Sequence, residues 1–265
     1  MITSTFTFLG GIGARREQQL RRQGIRTWSD FLQAKAIAGI SPKRKLFYDR
    51  QLQLAVRALA QHDLAFFAQR LPQREMWRLY LSFREHACFL DLEVGTDGSI
   101  IVLTLADRFR SATLVRGMQL ERDAVQQELQ RCKLLVTYNG SAFDIPKLEK
   151  FLGKRLAVPH FDLKPLCARL GLRGGLKDIE RQLGIARPAH LRGSAADAWN
   201  AFLASGDKEY LELLVQYNEE DAVNLHQLAE KCLALLQRKN GEGGTLTPIQ
   251  SRSAELKRFE PTTSA

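Results

Sequence analysis

One short stretch constrains this chain more than any other: residues 86–94 read His-Ala-Cys-Phe-Leu-Asp-Leu-Glu-Val. Successive side chains of a strand point to opposite faces, so Asp91 and Glu93 would share one face while Leu90 and Leu92 are buried on the other. Two carboxylates held together in half-buried surroundings repel each other, and a divalent cation between them would relieve that repulsion. The same pattern is also typical of the solvated face of an edge strand, and this stretch alone does not decide between the two.

Length and composition set the outer limits. The chain has 265 residues, 45% of them hydrophobic, which is enough for a buried core and for two domains. No apolar run reaches about 18 residues, so we expect no membrane span, and the first residues lack the basic and apolar regions of a secretory signal. The cysteines form no Cys-x-x-Cys pair and have no histidine nearby in metal-ligand spacing, which argues against structural zinc and predicts reduced thiols in a cytoplasmic protein. They are Cys88, Cys132, Cys167 and Cys232.

The positive charge is concentrated in the first third of the chain. Residues 1–85 hold 15 Lys and Arg against 6 Asp and Glu, a net charge of +9, whereas residues 86–236 carry −1 and residues 237–265 carry +2. Scattered surface charge would explain the total of +10 but not this asymmetry. We therefore expect a small, mainly helical basic domain over 1–85, a carboxylate-bearing domain over 86–236, and a polyanionic partner such as nucleic acid.

The N-terminal sequence resembles a helix-hairpin-helix element, which in its families binds the nucleic-acid backbone. Gly11 and Gly13 lead into a predicted helix over 14–23, where backbone N–H groups could face a phosphate, and Arg15 and Arg16 add charge that is independent of base sequence. Glu17 departs from the motif, since many of its members have a small residue there. The alternative is an ordinary helical packing unit that uses the glycines as turns.

Helices are predicted for the rest of the basic region. Ser29 is the expected N-cap of a helix through residue 32, and residues 43–84 show helical apolar faces. Residues 70–84 form a basic connector to the next domain, and its Trp77, Tyr80 and Phe83 could stack on bases. Their spacing of three to four favours packing onto the following domain instead.

An alternation of strands and helices follows the carboxylate strand. A turn at 96–98 leads to predicted strands at 99–105 and 112–115, a helix at 119–131 and a strand at 134–138. In α/β folds the loop after such a strand is where sites form, and here it contains Asn139 and Asp144. Asp144 is thus a candidate third carboxylate. It could also act as an N-cap ahead of Pro146, and both roles are compatible.

The last part of the chain contains the fourth candidate carboxylate, Asp221. Asp162 ends a short predicted strand and is expected to cap the next helix, and a helix follows at 176–183. Residues 187–193 form a basic loop that could follow a nucleic-acid backbone or be plainly exposed. Helices at 195–204 and 208–216 lead into a helical segment ending near 236, where Tyr217 and Asp221 share one face. Residues 237–265 have the composition of a disordered tail.

Three motifs, at residues 89–93, 139–144 and 217–221, resemble in their order along the chain those of the DEDD exonuclease superfamily. The resemblance is to the variant (DEDDy) whose last motif is Tyr-x-x-x-Asp. The Leu-Lys-Asp-Ile-Glu run at 176–180 is most similar to the YprB-type ribonuclease H-like proteins, and the resemblance covers roughly residues 6–236. The motifs are Phe89-Leu-Asp91-Leu-Glu93, Asn139-Gly-Ser-Ala-Phe143-Asp144 and Tyr217-Asn-Glu-Glu-Asp221.

The resemblance implies a ribonuclease H-like α/β fold, with a mixed sheet flanked by helices, and 3′–5′ exonuclease activity on DNA or RNA. It also implies two divalent cations, Mg²⁺ or Mn²⁺, which suit an all-carboxylate site. Tyr217 would orient the attacking water. The expected metal ligands are Asp91, Glu93, Asp144 and Asp221; the residues expected to contact nucleic acid, at a 3′ end, are Gly11, Gly13, Arg15, Arg16 and Asn139.

Two other functions fit parts of the sequence. A catalytically silent ribonuclease H-like scaffold could recruit nucleic acid through the basic domain, although silent scaffolds usually lose one or more carboxylates and all four are present here. A metal phosphoesterase acting on nucleotides would fit the carboxylates but would leave the basic domain without a task. No protein partner can be inferred from the sequence.

Overall fold

A five-stranded mixed sheet lies at the centre of the computed structural model, which describes residues 1–188 and 195–239. Its strands are β1 (Ala87–Val94), β2 (Ile100–Ala106), β3 (Ser111–Val115), β4 (Leu134–Thr137) and β5 (His160–Asp162). The spatial order is β3-β2-β1-β4-β5, with β1 antiparallel to β2 and parallel to β4. Because β1 is paired on both sides, the interpretation of the carboxylate stretch as an edge strand is wrong.

Helices precede the sheet and cover it. They are α1 (Ala14–Arg22), α2 (Trp28–Gln33), α3 (Pro42–Ala60), α4 (Leu64–Ala68), α5 (Trp77–Phe83), α6 (Arg122–Gln130), α7 (Asp144–Leu152), α8 (Leu163–Leu170), α9 (Leu176–Leu183), α10 (Ala195–Ser205) and α11 (Lys208–Lys239). The mixed sheet flanked by helices, and the helical region in front of it, are as the sequence predicts. None of the helices in the described part of the chain has the length and apolar run needed to cross a membrane.

The start of α2 differs from the prediction. The helix begins at Trp28, and its N-cap is Thr27 rather than Ser29. The Thr27 hydroxyl accepts a hydrogen bond from the Asp30 backbone N–H (3.2 Å), and the Asp30 carboxylate accepts one from the Thr27 N–H (2.8 Å). This reciprocal pair satisfies two N–H groups of the first turn at once, whereas a cap at Ser29 would satisfy only one.

Alternation along β1 divides the core into two layers. Leu90 and Leu92 face a layer that contains side chains of α6 and α7, while Phe89 faces the N-terminal helices, α8 and α11. Asp91 and Glu93 continue the Phe89 face and point toward α11. The pattern of buried leucines and partly exposed carboxylates predicted for this strand is confirmed.

The aromatic residues of the connector are buried. Trp77, Tyr80 and Phe83 are each at most 3% exposed, and the Tyr80 ring lies 6.3 Å from the Phe89 ring and 5.9 Å from the Phe161 ring. They therefore pack onto the sheet and are not available to stack on bases. The same apolar cluster runs from the N-terminal helices to α11, so the boundary expected at residue 85 is crossed by a continuous core.

Glu17 has a structural task in the N-terminal region. Its carboxylate is buried and accepts a hydrogen bond from the Phe6 backbone N–H at 2.7 Å. The turn that precedes α1 is held from the other side, because the Tyr48 hydroxyl donates to the Gly10 carbonyl at 2.9 Å. Gly11 adopts a φ of +85°, a conformation that strongly favours glycine. The departure at Glu17 is thus explained by the need for an acceptor inside this region.

Two of the cysteines are bonded, which corrects the expectation of reduced thiols for that pair. Cys88 and Cys132 form a disulfide with their Cα atoms 5.5 Å apart. Cys132 lies just before β4, and β4 pairs with the start of β1, so strand pairing brings together two residues 44 positions apart. Cys167 and Cys232 are free and buried, with their sulfur atoms 3.6 Å apart. The predicted tail at 237–265 begins too early, because α11 continues through Lys239; the rest of it, from residue 240 onward, lies outside the described residues.

Candidate active site

Three carboxylates converge where β1 meets α11. Asp91, Glu93 and Asp221 each place one oxygen within 4.8 Å of the other two, and all three are half-buried. β1 supplies the first two on one face, and α11 brings the third from 128 residues away along the chain. Asn218, one turn before Asp221, donates to the Asp91 carboxylate at 2.6 Å. The arrangement offers hard oxygen ligands of the kind that Mg²⁺ and Mn²⁺ prefer.

Asp144 adjoins this group without being one of the three. It is the first residue of α7, it is buried, and its carboxylate accepts a hydrogen bond from the Leu92 backbone N–H at 3.3 Å. The N-cap is Phe143, so Asp144 is not a cap and the alternative role given to it by the sequence is wrong. The structure thus brings the four predicted carboxylates to one edge of the sheet, with three within reach of a single ion.

The loop that delivers Asp144 is held by another carboxylate. Asp162 accepts hydrogen bonds from the Asn139 N–H (2.8 Å) and the Ser141 N–H (3.0 Å), and it also caps α8 through the Lys164 N–H (3.0 Å). The predicted role of Asp162 as an N-cap is confirmed. Its two hydrogen bonds to the loop were not predicted from the sequence. Asn139 has a φ of +65°, so the Asn-Gly turn is built into the site.

Burial and mutual repulsion raise the pKa of the carboxyl groups. For Asp91 the pKa is raised well above the ordinary value by burial, and further by Asp221 and Asp144. Burial is also the main cause for Asp144, whose pKa is raised to about 7, and for Glu93, where nearby Asp221 adds to it. Ionised carboxylates at this spacing need positive charge nearby. The donor set therefore fits a divalent cation.

The hydroxyl of Tyr217 has no hydrogen-bond partner among the described residues. The side chain is 2% exposed, burial raises its pKa, and it lies one helical turn before Asp221. The Lys177 ammonium is 4.9 Å from the centre of its ring. A buried hydroxyl without a partner is costly, so this atom is available for a group or a water molecule that enters the site.

Arg187 is a residue of the site that the sequence did not identify as such. Its guanidinium donates to the Asp221 carboxylate and to both oxygens of Glu180, one of them at 2.9 Å. Arg187 is only 14% exposed, so at this position the interpretation as an exposed or nucleic-acid-tracking loop is wrong. Residues 189–193 of that loop lie outside the described residues. Only the folded chain brings Arg187 to Asp221, 34 positions away.

The residues predicted to contact nucleic acid lie in two places. Gly11 and Gly13 form the turn before α1, with Gly13 as its N-cap. Arg15 is exposed, whereas Arg16 donates to the Gly39 carbonyl at 2.5 Å. Asn139 lies at the carboxylate edge of the sheet, where its side-chain oxygen accepts a hydrogen bond from the Lys164 ammonium at 3.1 Å.

One of two comparisons with known proteins places the chain in a family. A search of curated proteins found no match. The family model described as RNase_H superfamily matches residues 88–233, which is more than half of the chain and contains all four carboxylates. The mixed sheet flanked by helices has the fold that such a domain is expected to have, and members of the superfamily are generally nucleases that use divalent metals. The chain therefore belongs to the RNase_H superfamily.

Proposed function

We propose that this protein is a metal-dependent 3′–5′ exonuclease of the DEDDy type that hydrolyses phosphodiester bonds of DNA or RNA. The observation that carries the proposal is the convergence of Asp91, Glu93 and Asp221, whose oxygens lie within 4.8 Å of one another in a chain of a nuclease superfamily. The resemblance of the three motifs to the DEDDy exonucleases supplies the direction of cleavage.

The carboxylates are proposed to hold two divalent cations, Mg²⁺ or Mn²⁺. Asp91, Glu93 and Asp221 would hold one, and Asp91 with Asp144 would hold the other. When bound, such a pair of ions activates water and stabilises both the attacking and the leaving oxygen of an in-line displacement. The raised pKa values of Asp91 and Asp144 support this assignment, because a cation would favour the ionised forms that burial disfavours.

Neighbouring side chains would position the reacting groups. The buried Tyr217 hydroxyl, which has no partner among the described residues, would hold the attacking water by a hydrogen bond. Asn218 keeps the Asp91 carboxylate in place at 2.6 Å. Asp144 is fixed by the Leu92 N–H, so α7 cannot carry it away from β1 without losing that bond.

Binding of the substrate is assigned to the basic region and to the edge of the sheet. The +9 charge of residues 1–85 suits a polyanion. Gly11, Gly13 and Arg15 would contact backbone phosphates at the start of α1, and Arg16 could do so after leaving the Gly39 carbonyl. Asn139 would meet the strand next to Asp144.

A time course on end-labelled single-stranded DNA and RNA tests the proposal. Wild type is compared with Asp91→Asn in Mg²⁺, in Mn²⁺ and in a chelator. We expect metal-dependent shortening from the 3′ end, and a loss of about a thousandfold in the variant, because losing a metal ligand removes several kcal/mol of transition-state stabilisation. Nucleic-acid binding should change little.

Asp207→Asn is the matched control. Asp207 is an exposed aspartate that accepts a hydrogen bond from the Glu209 N–H, and asparagine can still accept that bond. The control should cleave like wild type. Cleavage that persists in Asp91→Asn, or that is indifferent to the chelator, would contradict the mechanism.

A second function is favoured by one contact. The ion pair between Arg187 and Asp221 gives the carboxylate cluster an internal positive charge, as would be useful in a catalytically silent scaffold that only binds nucleic acid. Such a scaffold would bind strands tightly and shorten none of them in either metal. The same time course separates the two functions.

A further inference from the structure

We propose that a basic cavity on the α6–α7 side of the sheet binds a backbone phosphate of the nucleic-acid strand, an inference that rests on the proposed function. The basic cavity has a volume of about 260 Å³ and lies between the β1–β2 turn, the start of α6, and α7 from Lys147 to its last turn. Its lining includes Gly98 from the turn, Arg122 from α6, and Lys147 and Lys150 from α7. A water molecule takes about 30 Å³, so a phosphate group fits with several waters.

Two elements connect the basic cavity to the carboxylates along the chain, although α6 and α7 lie on the Leu92 side of β1 and Asp91 and Glu93 point to the other side. Asp97, in its lining, follows Glu93 by four residues through the β1–β2 turn. Lys147 follows Asp144 by three residues on α7, and side chains at this spacing are neighbours on one helix face, about 5–6 Å apart at Cβ. A strand that reaches Asp144 would therefore lie about one helical turn from Lys147 of the basic cavity.

The charge of the basic cavity is positive and largely uncompensated. Arg122 and Lys150 form no ion pair within the described part of the chain, and Lys147 donates only to the Gly98 carbonyl, at 3.3 Å. Asp97 is the one carboxylate among the lining residues, and Arg116 is bound to it at 2.9 Å. Three cations therefore face a cavity whose single anion is already paired.

The carboxylate of Asp97 is hydrogen-bonded to Ser99, within the β1–β2 turn, and to Arg116. One oxygen accepts bonds from the Ser99 N–H at 3.0 Å and the Ser99 hydroxyl at 2.7 Å, and the other accepts from Arg116. These bonds lower the pKa of Asp97 well below its ordinary value. Both carboxylate oxygens are thus already hydrogen-bonded, and their partners are Ser99 and Arg116 rather than the lysines of α7.

The start of α6 adds to the attraction for an anion. Arg122 is the first residue of this nine-residue helix, and the N-cap Glu121 makes no side-chain hydrogen bond to the first turn. The first N–H groups of a helix have no partner within the helix and carry the positive end of its dipole. The backbone at this end and the Arg122 side chain thus favour an anion, although Glu121 and Asp123 place two carboxylates in the same turn.

A charge reversal at Lys150 tests the basic cavity, with Lys133→Glu as the matched control. Both lysines are exposed, but Lys133 precedes β4 and lies at the end of the strand opposite to the carboxylates. Binding of a labelled single strand is titrated in a chelator at several salt concentrations, with the full chain. We expect Lys150→Glu to weaken binding about tenfold and to reduce the salt slope by about 1, as for one lost phosphate contact. Arg122→Glu should act in the same direction.

The control variant should match wild type in both affinity and salt slope. Equal behaviour of Lys150→Glu and Lys133→Glu would overturn the assignment of the basic cavity. Free inorganic phosphate and a nucleoside monophosphate form the second arm. If Lys150→Glu weakens their binding as much as that of the strand, the ligand is a free phosphate and the assignment to the strand is wrong.

The readout is binding, so it is independent of cleavage. A wild-type chain that binds strands through Lys150 but never shortens them would refute the proposed nuclease and leave the basic cavity in place. A chain that shortens strands, and whose binding is unchanged by Lys150→Glu, would refute the assignment of the basic cavity and leave the proposed nuclease in place.

Discussion

At the scale of single residues, the buried hydroxyl of Tyr217 is the clearest mark of function. An unpaired buried hydroxyl costs about 1–3 kcal/mol, and the described residues provide no partner for it. Such a cost is typical of sites that are completed by a ligand. Phenylalanine at this position would leave the free energy of unfolding unchanged or would raise it.

We therefore expect Tyr217→Phe to separate activity from stability. The exonuclease rate should fall about a hundredfold, as is common when a reacting group is misplaced, while the melting temperature stays the same or rises. Tyr210→Phe, on the same helix but 40% exposed, should change neither quantity. A Tyr217→Phe protein with full activity and lowered stability would show that the hydroxyl is structural.

The residues of the site were predictable from sequence where they belong to short motifs. Asp91 and Glu93 follow the two-residue period of a strand, and Tyr217 and Asp221 the period of a helix. Arg187 belongs to no motif. It reaches Asp221 and Glu180 only after α9 and α11 have packed together, and a local pattern contains no information on such a contact.

At the scale of elements, Glu17 links α1 to the segment in front of it. It accepts the Phe6 N–H inside the protein, and a buried N–H that loses its only acceptor costs about 1–3 kcal/mol. Glu17→Ala should lower the free energy of unfolding by about that amount. Glu17→Gln, which keeps an acceptor oxygen, should recover most of the loss.

Chemical unfolding in urea measures both variants, with Gln18→Ala as an exposed control on the same helix. If Glu17→Gln is as unstable as Glu17→Ala, the charge of Glu17 and not its hydrogen bond would be the stabilising feature. The result would also show whether the departure from the helix-hairpin-helix pattern serves the fold or a ligand.

The elements themselves were largely predictable, because their signals are local. The helix at 176–183 has the predicted bounds, since glycines precede and follow it. Two features could not be read locally: the central position of β1, which depends on pairing with both β2 and β4, and the cap of α2, where Thr27 and Ser29 are both acceptable residues and reciprocal bonding with Asp30 decides.

At the scale of the whole molecule, the basic region and the sheet share one core. Phe89 and Phe161 pack against Tyr80, and the apolar cluster extends from there to the first helices. A chain that begins at residue 86 would expose this face of the sheet to water. We expect it to lack a cooperative unfolding transition, because the lost burial is a large part of the marginal stability of a domain.

Urea unfolding followed by near-ultraviolet circular dichroism measures this, with the full-length chain as control. A truncated chain with a sharp transition and native-like spectrum would contradict the expectation and would restore the independent domain predicted from the charge asymmetry. The charge pattern could reveal a basic region but not its packing, because a count of charges does not say which side chains are buried; Arg78, for example, is 7% exposed and lies over the Trp77 ring. The Cys88–Cys132 bond was missed for a related reason, since strand pairing is a long-range property.

The separation of the four carboxylates along the chain has a consequence for protein synthesis. Asp221 follows Asp144 by 77 residues, which corresponds to about 4 to 15 s of translation at 5–20 residues per second. During that interval a nascent chain carries Asp91, Glu93 and Asp144 but cannot bring Asp221 to them. The order of the sequence therefore delays the complete carboxylate set until α11 has been made.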